Sequence, residues 1–557
     1  MEASYIAEID DEKQEQNTTD VVWTDEIRLE REVGDVRTWQ PPPDPLFASV
    51  RPGPRKFGRE FGSQRLYVPT PRNVFDQFLT DHMLKKFARE SSAYSRTRLS
   101  SAKHANNRVV KPWEYTPGDI YDFFMIHVLM GLCQLPKIRD YWYGIRSQKT
   151  VYQKMSYNRF TALCVDLHYI DTSFFSAAEC AIKKEENKFW KMGGYEDDLN
   201  LEFKKHRCCE CALTLDEFTC PFKGRHCCRC FNPNKPEKYH LKGFSLNEAS
   251  SGYCLQFLLY QGRDEKRPVG ICATQWPALF LIRNVPFIHH KGYHMWADNW
   301  FTGLKTIQSN LGFGVGYTGT AKANRVGKAW LAVEKKGMGK KDRGEYSAKQ
   351  TTLEGQTVTA IQWKDNKVVT MLTTHTSKVG HTTRNNKDKK THTYTKSTFD
   401  IPSIISAYNY NKVGTDRMDQ SIAQYYRNSR LRWHVKLTLH LTYIALHNAY
   451  ISYLDLTNQQ RAQYKYSMFL DELSHTHESE DERFANMHVP WQPGKKARGK
   501  GSFAKAQSLK ESERPRGLCK VCGIRTPYKC LTCDVYLHLH TKESNYKCWG
   551  EYHLKHT

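Results

Sequence analysis

The chain has 557 residues, with Lys+Arg 83 against Asp+Glu 59, a formal net charge of +24. That length allows several domains of about 150 residues and excludes a small disulfide-stapled module, while the surplus of cations points to a polyanionic partner. The longest uncharged apolar stretch, Phe123 to Leu135, falls short of the roughly 20 residues that a membrane-spanning helix needs, which excludes a span.

Charge is uneven along the chain. Residues 1–35 hold twelve acidic side chains against Lys13, Arg28 and Arg31, a balance of −9 that leaves +33 for residues 36–557. Such a tail is a candidate electrostatic competitor for a nucleic-acid surface. The N-terminus shows neither the basic nor the apolar segment of a secretory signal, so an intracellular protein is expected, with the 17 Cys serving as metal ligands or reduced thiols. The hydrophobic share of 39%, about the same when the 31 Tyr are exchanged for the 33 Gly, lies below the roughly 45–50% of globular domains. Tails or linkers must account for the difference.

In chain order, residues 1–66 combine the acidic run with Pro41-Pro42-Pro43, Pro45, Pro52 and Pro54 and are expected to be a disordered tail. Over 67–205, Val74, Phe75, Phe78 and Leu79 recur at helical spacing, and Thr116-Pro117 caps a helix carrying Ile120, Tyr121, Phe123, Phe124, Ile126 and Leu129. This is a helical domain. From 206 to 330 the period becomes two: Ala212, Thr214, Asp216 and Phe218 alternate with Leu213, Leu215 and Glu217, and Tyr253 to Tyr260 and Tyr293 to Asp298 read as further strands. Leu304 to Leu311 reads as a helix stopped by Gly312. An insertion is expected over 331–400, Lys- and Gly-rich and aperiodic to residue 357, then a hairpin of Val358 to Trp363 and Lys367 to Thr373 around Lys364-Asp365-Asn366. Helices beginning near Asp416 and from about Trp433 to Leu454 fill 401–475, residues 476–516 are a basic linker, and 517–557 form a Cys-rich module. The order describes an α/β multidomain protein with a helix-covered sheet.

Three segments place carboxylates in similar settings: Leu213-Thr214-Leu215-Asp216-Glu217, Met295-Trp296-Ala297-Asp298-Asn299 and Gly414-Thr415-Asp416-Arg417-Met418-Asp419. The first two put Asp at or beyond a strand end, where ligand sites of α/β folds lie, and the third puts Asp416 and Asp419 one helical turn apart. Read singly, such residues are more often caps or surface groups. If they converge, their repulsion calls for cations, and hard oxygen ligands suit Mg²⁺ or Mn²⁺.

At the other end, Cys519-x2-Cys522 and Cys530-x2-Cys533 are zinc knuckles, and with His538, His540, Cys548 and His553 they make eight ligands, enough for two Zn²⁺. His556 is an alternative for His540 or His553. A second Cys group, Cys208, Cys209, Cys211, Cys220, Cys227, Cys228 and Cys230, surrounds the first Asp; it reads mainly as small buried residues, with a further zinc or redox site as the other reading. Arg427, Arg430 and Arg432, before Trp433, are candidate phosphate contacts; Trp300 is a candidate base-stacking residue. Lys495, Lys496 and Arg498, in a cluster ending at Lys500, could serve as a nuclear import signal or hold phosphates.

Over roughly 70–557 the chain resembles the piggyBac family of DDE transposases. The resemblance rests on Leu213 to Glu217 with Pro221-Phe222-Lys223-Gly224-Arg225, Asn234-Lys235-Pro236-Glu237-Lys238-Tyr239, Ala297-Asp298-Asn299-Trp300-Phe301-Thr302-Gly303, Thr318-Gly319-Thr320 with Asn324-Arg325, and Asn411-Lys412 through Asp419-Gln420. It implies an RNase H-like catalytic core interrupted by an insertion, a helical dimerisation and DNA-binding domain, and a cross-brace zinc tail that recognises DNA. It also implies a catalytic triad of Asp216, Asp298 and Asp416 holding Mg²⁺ or Mn²⁺, with Asp419 as a fourth carboxylate. The implied activity is cut-and-paste transposition by a nuclear homodimer: nicking at terminal inverted repeats, hairpin formation and integration at TTAA. A host-retained DNA-binding protein that no longer transposes is the alternative, and a ubiquitin-ligase or histone-reading finger is a third reading that leaves the upstream words unexplained.

Overall fold

Two capping boxes start the helical region. The computed structural model describes residues 23–24, 27–35, 69–100, 111–207, 209–262, 267–322, 325–326, 337–387, 394–427 and 430–475, with five short strands beyond residue 489. In α1 (Pro71–Phe75), Thr70 Oγ1 accepts the Asn73 N–H while Asn73 Oδ1 accepts the Thr70 N–H. α2 spans Asp81–Ser100. The Thr116-Pro117 start is found as expected in α3 (Pro117–Leu132), where Thr116 and Asp119 exchange the same pair of bonds. At the end of α4 (Tyr157–Asp166) the buried Asp166 carboxylate is held by both arms of Arg98, at 2.7 and 3.1 Å, and by the Tyr115 hydroxyl at 3.0 Å. This charge-assisted fork ties α2 to α4. α5 (Tyr195–His206) leads into the sheet.

Nine strands form the main sheet. In chain order they are β2 (Ala212–Pro221), β3 (Arg229–Phe231), β4 (Tyr239–Glu248), β5 (Cys254–Leu259), β6 (His294–Ala297), β7 (Gly316–Thr320), β8 (Tyr346–Leu353), β9 (Gln356–Lys364) and β10 (Val368–Thr373), preceded in the chain by β1 (Arg31–Asp35). The spatial order is β3-β4-β2-β6-β7-β10-β9-β8, with β5 also pairing with β4. β2, β4 and β5 are antiparallel neighbours, whereas β2, β6 and β7 run parallel. The parallel steps are bridged by helices, α6 (Trp276–Arg283) before β6 and α7 (Leu304–Gly312) before β7, as such crossovers require. Beyond β7 the sheet continues without a break, because β10 pairs antiparallel with it at Met371↔Thr320. The hairpin loop expected at 364–366 lies one residue later, since Lys364 is paired with Val368. β8 was not anticipated: its Thr-rich alternation is hidden by the Lys and Gly around it. β11 (Val379–Lys387) pairs parallel with β1 and antiparallel with β12 (Tyr394–Pro402) in a separate three-stranded sheet.

The segment Trp23–Asp35 corrects the expectation of a disordered tail over 1–66 for its described part. Thr24 and Ile27 donate backbone N–H groups to Gln350 and Ala348 of β8, Trp23 donates to the Val326 carbonyl, and Ile27 and Leu29 pack on the sheet. Net acidity concealed an apolar alternation that covers an edge strand. Other residues of that tail lie outside the described ones.

After β12 come α8 (Ser403–Asn411), α9 (Gly414–Tyr425), α10 (Trp433–Thr457) and α11 (Tyr466–His475). Every residue of α10 from His434 to Leu454 is buried. This helix is buried around its whole circumference although it carries polar side chains, and burial pushes its His440 and His447 down to about 3, so both are neutral there. No described helix is long and apolar enough to cross a membrane.

Thr70–Ser474, with residues 1–57, form one compact unit; residues 58–69 with 475–557 form a second. In the second, Gly517–Leu518 pairs with Arg525–Thr526, and Lys529–Cys530 pairs with both Val535–Tyr536 and Pro490–Trp491.

Gly131 of α3 lies against the carbonyl of Tyr425 at the end of α9, where an added Cβ would stand 1.8 Å from the oxygen. Gly131→Ala should therefore cost about 1–3 kcal/mol by forcing α3 and α9 apart. A thermal melt at unchanged midpoint would show that this contact is not tight.

Candidate active site

The pleat of β2 places Thr214 and Asp216 on one face, opposite Asn247 and Ser245 of β4 in register. The first turn of α9 docks on that face. Thr415 Oγ1 donates to Asn247 Oδ1 at 3.1 Å and lies 3.4 Å from Ser245 Oγ, and Thr214 Oγ1 donates to the Asn411 carbonyl at 2.6 Å. Gly414 permits the approach, since a Cβ there would meet Thr214 Oγ1 at 2.6 Å. Asp416, next but one along, is thereby held exposed over the face that carries Asp216. Its place in the first turn also suits a carboxylate to the helix dipole.

Parallel pairing supplies the other partner. Leu215 is in register with Ala297 at the end of β6, so Asp216, which lies within β2 and not at the strand end expected for it, stands beside Asp298, the first residue beyond β6. Asp298 is braced by its own loop: its Oδ1 accepts the Trp300 N–H at 2.8 Å, and its carbonyl accepts the Thr302 hydroxyl at 2.7 Å. Arg325 donates to the carbonyls of Asn299 and Trp300. Gly319 of β7 leaves room for this loop, because a Cβ would stand 2.1 Å from Thr302 Oγ1. The Thr318-Gly319-Thr320 word thus has a steric reason.

Asp216 and Asp298 are half-buried, and their carboxyls respond to burial and to neighbouring charges. Burial, then the facing charge of Asp298, raise the Asp216 carboxyl well above the usual range, against the hydrogen bond from the Glu217 N–H. Burial likewise raises Asp298, with Glu217 adding and the Trp300 and Phe301 N–H groups and Arg325 opposing. Asp419 is pushed up to about 8 by burial, with Asp416 and Glu217 adding and Lys235 opposing; its buried Oδ1 has no hydrogen-bond partner in the protein. Burial is the main cause of these raised values, with neighbouring carboxylates adding to it, and the oxygen donors of Asp216, Asp298 and Asp416, with Asp419 adjacent, suit a hard divalent cation.

Glu217 belongs to this site and was not singled out from the sequence. Burial opposes its ionisation, yet ion pairs with Lys242 (3.4 Å) and Lys235 outweigh that and hold its carboxyl below the ordinary value. Lys242 is itself buried beneath aromatic rings, 4.7 Å from the Tyr260 centroid and 5.2 Å from that of Trp300. Trp300 stacks on Phe244 at 5.3 Å and 16°, so one face of the indole is committed to packing. The available signals were Lys235 within the Asn234–Tyr239 word and the acidic residue directly after Asp216.

Other expected contacts are distributed differently. Arg427 donates to the Tyr141 hydroxyl at 2.7 Å and to the Pro136 carbonyl, and Arg432 to the Tyr94 hydroxyl at 3.0 Å and the Val165 carbonyl; both brace the helical region. Arg430 is exposed. Cys209, Cys220 and Cys228 are buried, whereas Cys227 is exposed; Cys208 lies outside the described residues. Lys495, Lys496, Arg498, Cys519, Cys522, Cys533, His538, His540, Cys548 and His553 also lie outside them, and Cys530 is described in its backbone only.

Residues 70–450 match the family model described as Transposase IS4, of the DDE type. Human PiggyBac transposable element-derived protein 3 is 24% identical over 505 residues, covering 87% of this chain and 76% of that protein. Human PiggyBac transposable element-derived protein 2 is 25% identical over 333 residues, 58% of this chain; the match spans about half of that relative, 53% of its length. Among solved structures, the cryo-EM structure of a piggyBac transposase synaptic complex with hairpin DNA superposes with a TM-score of 0.59 at 21% identity, covering 74% of this chain and 80% of that one. That likeness is one of fold.

Because these carboxyls are raised in the folded state, the stability contributed by their protonated forms is present at low pH and lost as pH rises through the folded values, which for Asp419 extends to about 8. Without divalent cations the melting temperature should fall between about pH 5 and about pH 8, and Mg²⁺ or Mn²⁺ should restore it most at the upper end. A cation effect absent at the upper end, or equal in Asp216→Asn, would contradict the shared site.

Proposed function

This chain belongs to the DDE transposases of piggyBac type, and on that premise we propose that it excises a DNA element by cut-and-paste transposition and integrates it at TTAA. The observation that carries the reading is the pairing register that sets Asp216 beside Asp298 with Asp416 docked over the same face. The strand order β5-β4-β2-β6-β7, three antiparallel then two parallel, supports an RNase H-like core.

In this reading Asp216, Asp298 and Asp416 hold two Mg²⁺ or Mn²⁺, which when bound supply charge neutralisation at the attacking and leaving oxygens of a phosphodiester. The chain's own contribution is placement. Arg325 and Thr302 fix the Asp298 loop, Gly414 and Thr214 fix the height of Asp416, and Asp419 orients the second turn of α9 or adds a ligand. No protein nucleophile is needed: water opens each end at the terminal inverted repeats, and the released 3′-OH attacks the opposite strand to form a hairpin.

Substrate grip follows from the +33 of residues 36–557. The protein acts as a nuclear homodimer, with the Lys495 to Lys500 cluster as its import address. The tail from Cys519 to His553 binds two Zn²⁺ and recognises terminal DNA; in its support, short hairpin strands bracket Cys519-x2-Cys522, and a second pair begins with Cys530 and ends beyond Cys533. A retained DNA-binding role without transposition is the second reading, opposed by the presence of all four carboxylates.

Asp216→Ala, Asp298→Ala and Asp416→Ala should each lower plasmid excision by about 100-fold or more while DNA binding persists. Excision retained by any one variant would remove that residue from the triad, and a wild-type chain that binds element ends but never excises would favour the second reading.

A further inference from the structure

Just after β2, the chain leaves the sheet at Phe222 and returns at Arg229 through a turn closed by the bond from the Arg229 N–H to the His226 carbonyl. The turn gathers His226, Cys227 and Cys228, whose ligand atoms all lie within 4.8 Å of one another, the only such group among the described residues. The two Sγ atoms are 3.9 Å apart. Around a tetrahedral ion with bonds of about 2.3 Å, thiolate sulfurs stand about 3.8 Å apart, so the thiols already have nearly the spacing of two ligands on one ion.

The imidazole is set up in the same sense. Its Nε2 lies 3.3 Å from the Lys188 carbonyl, which can only accept, so Nε2 carries the proton and the lone pair belongs to Nδ1. Nδ1 faces the turn, where it accepts the Cys228 N–H at 3.1 Å. A ring nitrogen bonded to a backbone carbonyl, with the other facing thiols, is the arrangement that orients a metal-bound histidine, and an ion would take the Nδ1 lone pair in place of the Cys228 N–H. The ring plane is fixed by stacking on Phe189 at 5.0 Å and 20°, and by Trp433 at 4.6 Å. Cys230, whose Sγ lies 3.6 Å from the Cys228 carbonyl, is two residues further on and partly exposed.

We propose that His226, Cys227 and Cys228, with Cys230 as the fourth ligand, form a structural zinc site separate from the carboxyl-terminal Cys/His module. Soft thiolate and imidazole donors select Zn²⁺ over the hard cations suited to the carboxylates. Lys223, Arg225 and Arg229 lie along the same excursion and would offset the net negative charge of a three-thiolate centre. The ion would clip the excursion that follows Asp216 to Phe189 of the helical region and to Trp433 at the start of α10 through His226.

Peptide-level mass spectrometry of alkylated cysteines in the full chain, purified with zinc, tests this directly. Cys227 is exposed, so without a metal it should alkylate freely; with zinc bound, Cys227, Cys228 and Cys230 should react about tenfold or more slowly until a chelator is added. Metal analysis should show one zinc fewer per chain in Cys227→Ser/Cys228→Ser than in the parent, whereas Cys519→Ser/Cys522→Ser should retain the protection at Cys227. Three outcomes would overturn the site: equal alkylation of Cys227 with and without chelator, recovery of a Cys227–Cys228 disulfide, or protection that vanishes in the Cys519→Ser/Cys522→Ser variant. Because the alkylation arm uses the unaltered chain, misfolding of the double variant would not rescue a failed proposal.

Discussion

Asp216 lies in the middle of β2 and Asp298 directly follows the end of β6, at matching positions of neighbouring parallel strands, so two half-buried carboxylates stand within one inter-strand spacing. Like charges in that setting either take up protons or require cations, and much of the surrounding structure holds them together despite this. The Asp298 loop is anchored by its own backbone, by Thr302 and by Arg325, and Asp216 sits in the middle of a ten-residue strand, in register with Ser245 of β4. Repulsion therefore cannot relax by moving either backbone. It remains as affinity for a cation.

The third carboxylate depends on a different kind of contact. Asp416 lies about 120 residues beyond Asp298 in the chain, and only small polar groups bring it back: Thr214, Ser245, Asn247 and Thr415 interlock where larger apolar residues would have kept α9 farther from the sheet. Gly414 completes that fit. Behind the sheet, the wholly buried α10 carries neutral histidines and contacts both the helical region and the sheet, giving the site a rigid backing. The aromatic cover of Lys242 by Tyr260, Phe244 and Trp300 keeps its charge aimed at Glu217, which lessens the net negative charge beside Asp216 and Asp298.

Charge on the outside follows another logic. The surplus of Lys and Arg points to a polyanionic partner, while the arginines before Trp433 also serve inside the protein. Arg430 and Arg432 are exposed and Arg427 is half-buried, and the guanidinium groups of Arg427 and Arg432 bridge to tyrosines of the helical region. An arginine with a planar fork serves internal bracing as readily as phosphate binding, and spacing along the chain does not distinguish the two.

Much of the site was legible before any coordinates. Alternation over 212–218, the strand ending at Asp298 and the one-turn separation of Asp416 and Asp419 are local patterns set by residue type, and the family words around them carry that reading further. What local pattern could not show was what happens between strangers in the chain. Glu217 acquires its role only when Lys235 and Lys242 fold against it, β8 emerges from a composition that looks like loop, and Trp23 to Leu29 pack despite an acidic context. Residue type and near neighbours account for most of the element types, for the charge balance and for the choice of candidate carboxylates, because these depend on residues within a few positions. Their convergence, the lysine pairs at Glu217 and the gathering of His226 with two thiols were decided by the tertiary structure, because strand register and helix docking set distances between residues that no spacing along the chain encodes.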